Sequence, residues 1–114
     1  MHELSLAENL REIIEAEAER QGFSRVRAVR LAVGRLSCVE PEALRFCFAE
    51  VMAGSAAEGA ALEITELAGL GECRHCGRQW PMTEHYDLCP ACDRPLTVVQ
   101  GLEIRLQELV VSAD

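Results

Sequence analysis

An α+β fold, with a small three-stranded sheet, two helices and an inserted four-cysteine zinc-knuckle module of the zinc-ribbon kind, is predicted by three observations. Two segments carry apolar residues at helical spacing, three short segments alternate as half-buried strands do, and two Cys-x-x-Cys turns stand between the second strand and the third. A strand that follows the cysteines with the same alternation as the earlier two is most simply placed in their sheet. The metal module is then an insertion. The expected division is residues 1–68 with 99–114 as a discontinuous α/β domain, and 69–98 as the zinc-binding module.

The first helix is signalled by Ser5 and Glu8 in capping-box spacing, by Leu6, Leu10, Ile13 and Ile14 along one side, and by Gln21-Gly22 at its end. Its acidic residues read as the solvated face. From Arg25 to Gly34 the alternation of Val26, Val29, Leu31 and Val33 with arginines predicts a strand, with a slip at Ala28 and Val29 that a bulge would explain. Pro41 suits a first helical turn, and Leu44, Phe48, Val51 and Met52, broadened by Phe46 and Cys47, form the stripe of a second helix ending near Gly54. Leu62 to Leu67 and the run Leu102, Ile104 and Leu106 predict the remaining strands. Gly69, Gly71 and Gly101 are candidate hinges around the insertion.

Cys73-x-x-Cys76 and Cys89-x-x-Cys92, with twelve residues between the pairs, can aim four sulfurs at one centre. A glycine after the second cysteine, Gly77, tolerates the positive φ that such a turn needs. Four thiolates leave no open coordination position, so zinc here would be structural and could not activate water. A redox role is disfavoured because redox sites use one Cys-x-x-Cys pair. Ferric iron in a rubredoxin-like centre is the competing occupant, since thiolates accept either metal. His75 and His85, inside and between the knuckles, read as loop residues while four cysteines are available. Cys47 reads as a small buried hydrophobe and Cys38 as a loop thiol without a Cys-x-x-Cys partner. Trp80 and Tyr86 are expected to form the module's small core.

The formal charge of the 114 residues is −8, and the eleven cations are all arginine. Around the cysteines Arg74, Arg78 and Arg94 are offset by Glu72, Glu84, Asp87 and Asp93, so nucleic acid is not an expected partner. No membrane partner is expected, because no stretch approaches the roughly 18 apolar residues of a span, and no basic segment with an apolar run opens the chain. Six cysteines in this pattern fit a reducing, cytoplasmic location. No nucleophile–base pair or open metal site points to an enzyme.

His2 offers different chemistry. A free α-amine on Met1, the amide nitrogen of His2 and its imidazole can close fused chelate rings, and a nitrogen or oxygen from Glu3 would complete a four-donor plane suited to Ni(II) or Cu(II). The plainer reading of a histidine at position two is a frayed terminus.

Met1-His2-Glu3-Leu4-Ser5, Val33-Gly34-Arg35-Leu36-Ser37, Val39 to Phe46, Glu58 to Ile64 and the paired knuckles together resemble the HypA/HybF family of hydrogenase maturation factors. The resemblance spans nearly the whole chain. It implies a nickel metallochaperone with Ni(II) carried at Met1, His2 and Glu3, and structural zinc at Cys73, Cys76, Cys89 and Cys92. It also implies a HypB-type GTPase and the [NiFe]-hydrogenase large-subunit precursor as partners, with urease served by some members. A second copy of the chain stays open as a partner. The competing reading is a zinc-ribbon interaction adaptor without a second metal.

Overall fold

A histidine, and not the expected Ser5, starts the first helix. The computed structural model describes residues 2–112. Helix α1 covers Glu3–Gln21 with His2 as its N-cap, whose imidazole Nδ1 accepts the Leu4 N–H at 3.2 Å. The Ser5–Glu8 capping box is therefore overturned, because the imidazole satisfies a first-turn donor and Ser5 falls inside the turn. The other end is as expected. Gly22 adopts φ 78° and donates its N–H to the Ala18 carbonyl at 2.8 Å.

The remaining elements are β1 (Val26–Gly34), α2 (Pro41–Met52), β2 (Ala61–Leu67), β3 (Gly69–Glu72), β4 (Gln79–Met82), β5 (Thr97–Gln100) and β6 (Ile104–Val111). They form two three-stranded sheets, ordered β2-β1-β6 and β4-β3-β5. The first is the expected sheet. In β1 the slip in alternation shows as two successive buried residues, Ala28 and Val29, while Arg27 and Arg30 remain exposed. Strand β6 begins two residues later than Leu102, which is exposed; Gly101 at φ 119° donates its N–H to the Glu103 carboxylate at 2.7 Å, and this turn occupies the residues before Ile104.

The described residues divide into two compact units, one of 2–31, 39–64 and 106–112, the other of 32–38 and 65–105. In the first, α1 packs on α2, with Leu6, Ala7, Leu10 and Ile14 buried on one helix and Leu44, Phe48 and Met52 on the other. Burying such side chains stabilises by about 1.5–3 kcal/mol each for the larger ones. The Arg11 guanidinium donates to the carbonyls of Val51 at 2.6 Å and Ala53 at 3.1 Å, satisfying the free end of α2. Phe46 is 69% exposed and so does not broaden the apolar stripe.

The second unit holds Cys38 and the four knuckle cysteines. Its antiparallel strands run Gly69↔Met82 to Glu72↔Gln79 on one side, and Leu70↔Gln100 to Glu72↔Thr97 on the other, with an irregularity at Leu70/Gly71. Sequence periodicity could not find these strands, because each has four residues and two of them contain glycine or proline. Around the cysteines the buried side chains are Leu36, Met82 and the thiols of Cys73 and Cys89, with Ala32 and Val33 buried at the end of β1. Tyr86, expected in it, is 77% exposed; Trp80 is half-buried, with its indole N–H enclosed and without a partner among the described residues.

Residues 32–38 join this unit through close backbone approach of strand ends. Gly34 N bonds Glu103 O at 2.7 Å, Leu36 N bonds Gly101 O at 2.8 Å, and Arg35 N bonds Leu67 O at 2.9 Å. A Cβ on Gly34 would overlap the Gly101 carbonyl, and one on Gly69 would overlap the Met82 carbonyl. Neither obstacle is a flexible side chain. Gly34→Ala is therefore expected to cost at least about 1–3 kcal/mol, seen as a lower unfolding midpoint in denaturant, whereas Gly22→Ala, with open space around its Cβ, should cost only its left-handed backbone strain.

Candidate metal centre

Two backbone turns of the same construction deliver the four thiols. In the first, Cys73 N donates to Arg78 O at 2.9 Å and Gly77 N to Cys73 O at 2.7 Å; in the second, Cys89 N donates to Arg94 O and Asp93 N to Cys89 O, both at 2.8 Å. Each turn needs a left-handed residue at its fourth step. Gly77 supplies φ 76° and Asp93 supplies φ 56°. The glycine was legible in the sequence; Asp93 was not, because aspartate adopts this conformation without advertising it.

The ligating atoms of Cys73, Cys76, Cys89 and Cys92 all lie within 4.8 Å of one another. Cys73 and Cys89 are buried, Cys92 is half-buried and Cys76 is exposed. Cys76 Sγ and Cys89 Sγ are 3.8 Å apart. A tetrahedral ion with metal–sulfur bonds of about 2.3 Å places its sulfurs roughly 3.8 Å apart, so the donor set fits a four-coordinate thiolate metal. His75 and His85 are not among the ligating group.

The thiols are unequal before a metal arrives. The Cys76 backbone N–H, 3.5 Å from Cys73 Sγ, heads the contacts that bring the Cys73 thiol down to about 6. Burial, followed by contacts with the other cysteines, pushes the Cys92 thiol up to about 12. One sulfur is ready to accept a cation and another must be deprotonated by it. Beside Cys73 a cleft of about 350 Å³ is lined by Arg74, His75, Arg94 and Pro95. Two guanidinium groups there offset the negative charge of a four-thiolate centre.

Of the other expected site residues, His2 and Glu3 lie at the start of α1. Met1 is outside the described residues. His2 is exposed, and its Nδ1 lone pair points at the Leu4 N–H. Glu3 Oε2 accepts the Glu40 N–H at 3.0 Å, and Glu40 in turn caps α2 by accepting the Ala43 N–H at 3.0 Å. The Glu40 amide is the main cause holding the Glu3 carboxyl below its ordinary 4.5. This contact stabilises the fold above the ordinary carboxylate range and is lost as pH falls through the depressed value. Sequence reasoning missed Glu40 as the partner of Glu3, since only the fold brings the two helix starts together.

A profile of the family described as "Hydrogenase/urease nickel incorporation, metallochaperone, hypA" matches residues 1–111. Among curated proteins, the chain is 47% identical over 112 residues to the hydrogenase maturation factor HypA of Dechloromonas aromatica, covering 97% of this chain and 99% of the relative. The same identity and coverage hold for the HypA of Azotobacter vinelandii. Among solved structures, a "Solution structure of HypA protein" aligns over 100% of this chain and 98% of its own with a TM-score of 0.73 at 25% identity. That of "the Ni metallochaperone HypA from Helicobacter pylori" aligns over the whole of both chains with a TM-score of 0.71 at 24% identity, a likeness of fold.

Two outcomes are expected of the thiol cluster. Stripping metal with a strong chelator should collapse the β4-β3-β5 unit while α1 and α2 persist, seen as loss of dispersed amide resonances for residues 69–100 alone; apparent metal-binding energies on the order of 10 kcal/mol exceed what so small a core supplies. Metal affinity should also rise with pH, because Cys92 enters the site protonated; a pH-independent isotherm would mean that its proton is not displaced.

Proposed function

The chain belongs to the HypA family of hydrogenase maturation factors and nickel metallochaperones, and from that premise we propose that it takes up Ni(II) at its amino terminus and delivers it to a [NiFe]-hydrogenase precursor. The family is one of metal-inserting maturation factors and not of catalysts. In this reading Met1 gives its amine, His2 its amide nitrogen and imidazole, and Glu3 lies beside the ion. Structural zinc occupies Cys73, Cys76, Cys89 and Cys92, whose closed shell leaves no position for transfer.

The observation that carries the proposal is the His2 imidazole at the helix start. The first i→i−4 bond of α1 runs from Leu6 N to His2 O, so the amides of His2 and Glu3 precede the helical ladder and are not spent in it. Metal coordination by these nitrogens breaks no helical bond. Chelation through the amine, the His2 amide and the ring closes best on Nδ1, the atom that now caps Leu4. Nickel loading therefore exchanges a weak cap, in the range of about 0.5–2 kcal/mol, for a metal–nitrogen bond. An exposed terminal site with a small cost of opening suits an ion that must be handed on.

A HypB-type GTPase and the large-subunit precursor are the partners this function requires, in the cytoplasm where the enzymes mature. No helix among the described residues is long and apolar enough to cross a membrane. Residues 69–98 act as the zinc module and the remainder as the nickel domain.

In calorimetric titration of tag-free, zinc-loaded chain, His2→Ala is expected to lose the tight stoichiometric nickel phase and keep its zinc. Identical isotherms would leave the zinc-ribbon adaptor as the better reading. In the native chain the Leu4 amide resonance should shift on nickel addition, as its hydrogen bond to Nδ1 is given up.

A further inference from the structure

Outside both metal sites, two soft donors meet that the sequence separates by 47 residues: Cys38 Sγ lies 3.8 Å from His85 Nε2. Cys38 is exposed and adopts φ 66°, a left-handed backbone uncommon for a non-glycine residue, in the loop after β1. His85 comes from the segment between the two knuckles and is also exposed. A single carbonyl, that of Leu36, joins them. Cys38 Sγ is 3.8 Å from it and His85 Nε2 is hydrogen-bonded to it.

We propose that Cys38 and His85 form a second, open site for a borderline divalent d-block ion such as Ni(II), Co(II) or Zn(II). A tetrahedral ion with bonds of about 2.3 Å to sulfur and 2.0–2.1 Å to imidazole nitrogen spans its two donors by roughly 3.6 Å. The observed 3.8 Å needs an adjustment of a few tenths of an ångström, within the freedom of two exposed side chains. Thiolate and imidazole are together the donors this class of ion prefers over Mg(II) or Ca(II). Two protein side chains leave coordination positions free for water or an incoming ligand, unlike the four-cysteine shell.

A carbonyl oxygen only accepts, so His85 carries its proton on Nε2 and Cys38 is a thiol donating toward the same oxygen. On binding, the imidazole proton moves to Nδ1, the thiol proton leaves to solvent, and Cys38–SH + His85 + M²⁺ gives a thiolate–metal–imidazole unit and one H⁺. Both contacts to Leu36 O are given up, which keeps the site weak and exchangeable. The site lies within the cysteine-bearing unit, whose residues include 32–38 and 65–105.

The test uses full-length, zinc-loaded His2→Ala chain, so that the terminal site contributes nothing and failure of either site is read separately. Co(II) or Ni(II) is added while near-ultraviolet thiolate-to-metal charge transfer, bound metal and retained zinc are followed. The expected result is one further ion per chain with a charge-transfer band and no loss of zinc. The band should vanish when Cys38→Ser or His85→Ala is added to His2→Ala, and persist when Cys47→Ser is added. No band in the His2→Ala chain, a band indifferent to Cys38→Ser, or a band that grows only as zinc is released would overturn the proposal.

Discussion

Four sulfur atoms confined within 4.8 Å of one another are the constraint on which the cysteine-bearing unit depends. Without a cation the cluster is in conflict, because each thiolate formed raises the cost of the next. The thiols enter it unequally: Cys73 is drawn down to about 6, chiefly by the Cys76 amide, and Cys92 is pushed up to about 12, chiefly by burial. A divalent ion would resolve it by removing the protons and binding the charges. Three strands of four residues each, around a core of Leu36 and Met82, could not otherwise hold two loops in register.

The two helix starts work by the opposite logic. Nothing is closed there. His2 caps α1 and Glu3 holds the amide of Glu40, the residue that caps α2, so the groups with metal-binding chemistry are held by single hydrogen bonds. Such bonds order the donors at little cost and release them at little cost. In the proposed function a closed thiolate shell would hold an ion for shape and a lightly held terminal chelate would hold one for transfer, a division of tasks that donor type and accessibility would set.

How much of this was legible in the sequence varied with the range of the interactions. The two helices, the β2-β1-β6 sheet and the Cys-x-x-Cys pairs were readable, because each is written in local spacing or in residue types with few alternative uses. Strands β3, β4 and β5 were not, since four residues are too few to show a period and Gly69, Gly71 and Pro81 interrupt two of the three. The Ser5 capping box was misleading. Its pattern is sound in isolation, but the competing His2 imidazole starts the helix earlier. Contacts that join distant segments, Glu3 with Glu40 and Cys38 with His85, had no local signal at all. Tyr86 was misplaced because an aromatic near a metal loop was read as core, when Met82 fills that role.

The proposed nickel delivery depends on the amine, amide and imidazole of the first two residues acting together on the ion. Its most direct test compares zinc-loaded chain bearing a free α-amine with the same chain acetylated at Met1, with nickel and zinc per chain counted by native mass spectrometry at limiting nickel. The free-amine chain should carry one nickel and one zinc, and the acetylated chain one zinc alone. Equal nickel occupancy in the two would contradict the account.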